Sequence, residues 1–197
     1  VPCANPDGYD YCMGYARHGL VAGRKVNGNE VNLNRNFPTP HWGNEFTKGH
    51  YDYPGPEAGS EPETQALVQL AERYPYSAMV DFHSKAQEVY YGKGGFAQED
   101  VLVSMSVDDL NAMTLRLAEA IRPERYRLRL MADSEKGEGF GGSTDYLFHL
   151  GVPAVTVETV EYQMVPDGTT SLEMFKRGEI DDTSVESEEY LSMEGTE

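Results

Sequence analysis

The chain has 197 residues, with 33 Asp or Glu against 16 Lys or Arg and a formal net charge of -17. Its length fits one domain or most of one, and 39% hydrophobic residues mark a globular chain. The charge argues against nucleic acid or an anionic membrane surface as partner, because both repel it, and no stretch approaches the roughly 20 apolar residues of a membrane span.

Val1-Pro2-Cys3-Ala4 reads as the middle of a strand, with no initiator Met or signal-peptide pattern before it. The chain is therefore expected to begin inside a larger protein. Cys3 and Cys12 either pair across a turn or stand as two buried free thiols, and give no compartment. Asn5-Pro6-Asp7-Gly8 is a turn signal. Polar, glycine-rich sequence follows to Gly28, carrying Arg17, Arg24 and Lys25, whose plain reading is surface charge.

Asn32-Leu33-Asn34-Arg35-Asn36-Phe37-Pro38 packs three amides and a guanidinium into five positions, closed by an aromatic and a proline. Asn disfavours helix and strand interiors, and Pro38 holds Phe37 extended, so this is a shaped loop. A guanidinium offers two parallel donors to a carboxylate, and an amide adds a third. Asn34 and Arg35 therefore read as a carboxylate clamp, against the alternative of an Asn-rich turn with a solvated arginine. The irregular run 39–59 is long enough for a functional loop.

Ser60 and Glu63 form a capping box for a helix with Pro62 in its first turn and Ala66, Leu67, Leu70 and Ala71 on one face. Residues 76–84 read as a buried strand ending in His83-Ser84, and Glu88 to Tyr91 as a further short strand. Ser106 caps a second helix with Leu110, Met113, Leu117 and Ile121 at helical spacing, ended by Pro123. Then come a strand at 126–131, a glycine-rich loop at 137–142, a short helix at 143–150 and a strand at 152–158 ending in Glu158. The pattern fades after Gly168, so residues 1–168 are expected to form the catalytic unit and 169–197 an acidic, poorly packed tail.

Alternating helices and strands predict an α/β, three-layer sandwich: a mixed, mainly parallel sheet with helices on both faces. Sites in such sheets lie at the C-terminal strand ends, where His83 and Glu158 fall. A buried, unpaired carboxylate is costly, which makes Glu158 the harder of the two to dismiss as structural.

Taken in order, Asn5-Pro6-Asp7-Gly8, Asn32 to Pro38, Gly59-Ser60-Glu61-Pro62-Glu63-Thr64, Asp81-Phe82-His83-Ser84, Gly141-Gly142-Ser143-Thr144-Asp145-Tyr146 and Gly151 to Glu158 resemble the zinc-carboxypeptidase family typified by pancreatic carboxypeptidase A. The resemblance implies a Zn2+ cofactor and a peptide substrate with a free C-terminal carboxylate. It implies His83 as one zinc ligand and Glu158 as general base. Arg24 matches the cation that polarises the scissile carbonyl, with Arg17 the weaker match, and Asn34 and Arg35 the pair holding the terminal carboxylate. The Gly59 to Leu67 and His83 to Tyr91 stretches look more like bacterial members, which makes cell-wall peptides a substrate class.

Three departures stand against the family pattern. No His-x-x-Glu motif supplies the other two zinc ligands, so this chain alone is expected to be inactive, a fragment of an enzyme or a relative that binds peptides without cleaving them. Asn32 replaces an aspartate that orients a zinc-bound histidine. Gly137 stands where a substrate-capping tyrosine is expected, leaving Tyr90, Tyr91 and Tyr146 as substitutes. A deacylase on the same fold is a third reading. For compartment, secreted or periplasmic placement is favoured over cytoplasmic.

Overall fold

Four strands form one sheet in the order β1-β4-β2-β3, where β1 is Met79–Ser84, β2 Glu88–Tyr91, β3 Arg127–Leu130 and β4 Ala154–Thr159. β1 pairs β4 and β2 pairs β3 in parallel, while β4 and β2 run antiparallel. In this computed structural model the described residues are 1, 3–18, 20, 23–40, 42–43, 46–84, 86–92, 96–131 and 141–159. The expected tail at 169–197, the boundary at 168 and Gly137 lie outside them.

Alternation along β4 decides what covers each face. Ala154 packs with Phe37, Tyr146 and Leu147, against Leu67, Val68 and Ala71 of helix α2 (Pro62–Arg73). Tyr146 and Leu147 belong to helix α4 (Ser143–His149). Val155 and Val157 turn the other way, onto Val89, Tyr126 and Ala118 of helix α3 (Val107–Ile121). The sheet thus lies between α2 and α4 on one side and α3 on the other, the three layers the sequence predicts. Val89 and Val155 are fully buried, and each such side chain contributes about 1.5–3 kcal/mol.

Several local expectations shift. Asn5 to Gly8 is a helix start, not a free turn: helix α1 runs Pro6–Ala16, with Pro6 in its first turn and the Asn5 side chain accepting from Gly8 N at 2.9 Å. Asn and Pro serve helix starts as well as turns. Val1, Cys3 and Ala4 have no strand structure, and both cysteines are free. α2 is capped at Glu61 without a side-chain cap bond, because Ser60 Oγ donates instead to Glu61 Oε1 at 2.8 Å. Leu70 and Ile121 are on the exposed sides of their helices. Ser106 does cap α3, accepting from Asp109 N at 3.0 Å. No helix among the described residues is long and apolar enough to cross a membrane.

Candidate active site

Strand register builds the first half of the site. β1 and β4 run parallel with His83 opposite Glu158 and Asp81 opposite Thr156. The antiparallel neighbour places Glu88 opposite Glu158. With a side-chain period of two, Asp81, His83, Thr156, Glu158, Glu88 and Tyr90 all share one face of the sheet. His83 Nε2 lies 3.1 Å from Asp81 Oδ2, and its Nδ1 lies 3.7 Å from Glu158 Oε1. The imidazole is therefore held between two carboxylates.

The environment tunes each group. Burial disfavours protonated His83, and the charge of Arg35 adds to that. The hydrogen bond that His83 donates to Asp81 and the charges of Asp81 and Glu158 outweigh both and raise its pKa. Burial pushes the Glu158 carboxyl up, as do the charges of Asp81 and Glu88, while His83 and Lys25 pull it down; the net direction is up. A carboxylate raised above its ordinary range is a better proton acceptor than a solvated one.

Side-chain hydrogen bonds build the second half. Asn32, Asn34 and Arg35 sit in a short 3-10 turn, Leu33–Arg35, with the Asn32 side chain accepting from Asn34 N at 3.1 Å. Asn36, fully buried, donates through Nδ2 to Pro54 O at 2.8 Å, Glu57 O at 3.1 Å and Ser60 Oγ at 3.0 Å, and accepts from Glu61 N at 3.1 Å. Asp52 is buried beside them. Its Oδ1 accepts from Asn32 Nδ2 at 3.0 Å and lies 3.8 Å from the Arg35 guanidinium and 3.9 Å from the Lys25 ammonium.

The two halves meet at the start of α4. Ser143 N donates to Asn34 Oδ1 at 2.9 Å, while Ser143 Oγ donates to Asp81. Phe37 N donates to Gly141 O at 2.9 Å. Gly141 has φ +146, and a Cβ there would lie 2.5 Å from Arg35 O, so only glycine allows this approach. Asn34, Arg35, His83 and Glu158 are thus brought into one locality.

Arg24 is placed differently. It donates from Nε to Val26 O at 3.2 Å and from Nη2 to Asn27 O at 2.8 Å, and its guanidinium lies 5.1 Å from the centre of the Tyr11 ring. Arg17 is the exposed C-cap of α1. The substitute tyrosines are occupied. Tyr90 donates to Glu88 Oε2 at 2.6 Å and its pKa is pushed to about 12, by burial first and then by Glu88. Tyr146 donates to Glu72 Oε1 at 2.9 Å, and Tyr91 packs on the α3 side.

Sequence reasoning assigned no role to Asp81, Ser143 or Asp52. Asp81 was within reach, since it precedes His83 by one strand period. Nothing in the local sequence marks Asp52. Zinc fits what this chain offers at one position: an imidazole whose second ring nitrogen is tied to a carboxylate, as in zinc-bound histidines generally. Among the described residues no group of three or more His, Cys, Asp or Glu could hold a metal ion, so further ligands would have to come from elsewhere in the whole protein.

Comparison with known proteins gives a consistent picture. The model of a family described as zinc carboxypeptidase matches residues 1–176. Murein peptide amidase A of Escherichia coli (strain K12) is 38% identical over an alignment of 93 residues that covers 42% of this chain and 34% of that protein. Thrombin activatable fibrinolysis inhibitor superposes with a TM-score of 0.54 at 25% identity, over 80% of this chain and 41% of that one. Carboxypeptidase A from Helicoverpa armigera, at 23% identity, shares the fold with a TM-score of 0.57 over 85% of this chain and 44% of that one. The chain spans about a third of the length of the curated relatives it matches.

Proposed function

The chain belongs to the zinc carboxypeptidase family, and on that premise we propose that the whole protein is a zinc metallopeptidase that hydrolyses a peptide bond near a free C-terminal carboxylate, with bacterial cell-wall peptides as its substrate class. The observation that carries this reading is the pairing of His83 with Glu158 across β1 and β4, next to Asn34 and Arg35. The substrate class is supported by the relative whose name says that it acts on murein peptide.

In this reading Arg35 binds the terminal carboxylate through its planar fork, and Asn34 donates the third hydrogen bond from the amide nitrogen left by the Ser143 contact. His83 would hold zinc through the ring nitrogen that Asp81 leaves open, while Asp81 fixes the ring at Nε2. When bound, zinc polarises the scissile carbonyl and lowers the pKa of its water towards about 7. Glu158 takes the proton from the attacking water and delivers it to the leaving amine. A cation from the loop after α1 stabilises the charge that develops on the carbonyl oxygen; Arg24 is the sequence-based candidate.

The test is hydrolysis of a free-acid murein peptide by the full-length protein, before and after chelation. We expect turnover that chelation abolishes and zinc restores. Binding of the peptide with no zinc-dependent turnover would overturn the enzyme reading in favour of a peptide-binding relative.

A further inference from the structure

Two arginines stand on the site face that the proposed chemistry does not use. Strand register sets His83, Glu158, Glu88 and Arg127 in one row across β1, β4, β2 and β3, and Asp81, Thr156, Tyr90 and Arg129 in the row behind it. Glu88 is buried, and its Oε1 lies 2.8 Å from both Arg127 Nη2 and Arg129 Nε. Its Oε2 accepts from the uncharged Tyr90 hydroxyl at 2.6 Å. A simple cross-strand ion pair would set one cation against one carboxylate. Here two guanidinia share one carboxylate oxygen, so the cluster keeps one positive charge in excess, on a chain whose net charge is -17. The Arg127 side chain is 70% exposed and meets Glu88 through one terminal nitrogen, so a ligand can reach it from solvent.

Resting on the proposed function, we propose that Arg127 and Arg129 bind a second carboxylate of the substrate, one that ends a long side chain on the C-terminal residue, and so select peptides ending in a dicarboxylic residue. In that reading Asn34 and Arg35 hold the terminal carboxylate of this residue on the β1 side, where Ser143 joins Asn34 to Asp81. The scissile carbonyl lies by His83 and Glu158. The side chain between these two anchors extends over the part of the face beyond Glu158, which Glu88 and the two arginines line. Neighbouring strands lie about 4.8 Å apart, which puts Arg127 about 10 Å from Glu158 at Cα. A long side chain and the arginine stem together cover that distance. Glu88 keeps the two guanidinia side by side, and a guanidinium pairs with a carboxylate through two parallel donors. A side chain ending in an ammonium meets the excess positive charge and is rejected.

The test uses the full-length, zinc-loaded enzyme and free-acid peptides that differ only in the C-terminal residue: 2-aminopimelate, its side-chain carboxamide, or lysine. Wild type is compared with Arg127→Gln, Arg129→Gln and Arg127→Lys. Wild type should favour the side-chain carboxylate over the carboxamide by at least about tenfold in kcat/KM, and over lysine by more. Each Gln variant should lose about tenfold on the carboxylate peptide, through KM, with kcat and the carboxamide peptide changed less than about threefold. Arg127→Lys should keep part of the preference, since it supplies charge without the fork. Arginines that only neutralise Glu88 would give equal losses on the carboxylate and carboxamide peptides, and that result overturns the assignment. So does a wild-type enzyme that cleaves the murein peptide yet shows no preference for the side-chain carboxylate. No turnover of any free-acid peptide by wild type, the murein peptide included, overturns the proposed function itself, which tells the two failures apart.

Discussion

His83 and Glu158 are held by backbone register, Asn34 and Arg35 by buried side-chain amides. In the sheet half, the β1–β4 pairing sets His83 opposite Glu158, and the alternation of the pleat does the aiming. In the loop half, the turn has almost no regular structure, and Asn32, Asn36 and Asp52 take its place with buried hydrogen bonds. Register tolerates most changes that keep the strands. A side-chain network fails where one member is lost, since each abandoned buried partner costs about 1–3 kcal/mol. On the proposed roles, the sheet half should therefore lose function mainly through His83, Glu158 and the Asp81 that fixes the His83 ring, and the loop half through its supports as well.

The largest effect should come from the carboxylate proposed as general base. Glu158→Gln in the full-length enzyme is expected to lower kcat by about three orders of magnitude, the range of a lost general base, with zinc content and ligand affinity near wild type. Retention of more than a few per cent of kcat would remove Glu158 from the role. Next comes Arg35→Ala, with kcat/KM on a free-acid peptide falling by roughly two to three orders of magnitude and little change on the same peptide amidated. Lysine there should restore only part, because it lacks the fork. An equal loss on both peptides would make Arg35 structural and collapse the distinction between the halves.

The same contrast explains what was legible in the sequence. The sheet could be read because strands announce themselves by apolar runs, so placing His83 and Glu158 at strand ends needed only the alternation of helix and strand. The helix starting at Asn5-Pro6 was missed because Asn, Pro and Gly signal turns and helix caps alike, and α1 is largely exposed, with Tyr9, Tyr11 and Tyr15 outward and no apolar stripe to reveal it. The loop could be singled out by composition but not assembled. Asn32 reaches Asp52 across a sequence separation of 20, and Asn36 reaches Glu61 across 25. No periodicity encodes such pairings.

Asn36→Ala tests the support of the loop half directly. It removes an amide NH2 shared among three acceptors, and one acceptance, at a fully buried site, and should cost about 2–4 kcal/mol, read as a lower urea midpoint with unchanged slope. At temperatures where the variant stays folded, KM for a free-acid peptide should rise while zinc affinity stays within about threefold of wild type. A larger fall in zinc affinity would mean that the loop also holds the sheet half in place.

The smallest effect tests the converse, whether the sheet half needs side-chain support. Glu88 is buried on the site face and is the centre of a cluster: Arg129 Nε and Arg127 Nη2 each lie 2.8 Å from Oε1, and the Tyr90 hydroxyl donates to Oε2 at 2.6 Å. Burial pushes its carboxyl up, but the hydrogen bonds from Tyr90 and Arg129 and the charges of both arginines hold it below the ordinary range. A folded-state pKa below the unfolded one contributes stability above the unfolded value, about 4.3, that is lost as pH falls through the folded value. Both arginines are well exposed, so the cluster sits at the weak end for ion pairs, and Glu88→Gln should cost about 1 kcal/mol at pH 7. The gap from wild type should begin to narrow as pH falls below about 4.3 and should close once pH is below the folded value, where wild type has also lost the charge. Urea midpoints at pH 7 and over an acid series below about pH 4.3 read both effects. Because register aims Glu158 whether or not Glu88 is charged, kcat and zinc affinity at pH 7 should stay within about threefold. A loss of tenfold or more in either would show that the strand pairing does not hold His83 and Glu158 unaided, and that the sheet half, like the loop, depends on its side chains.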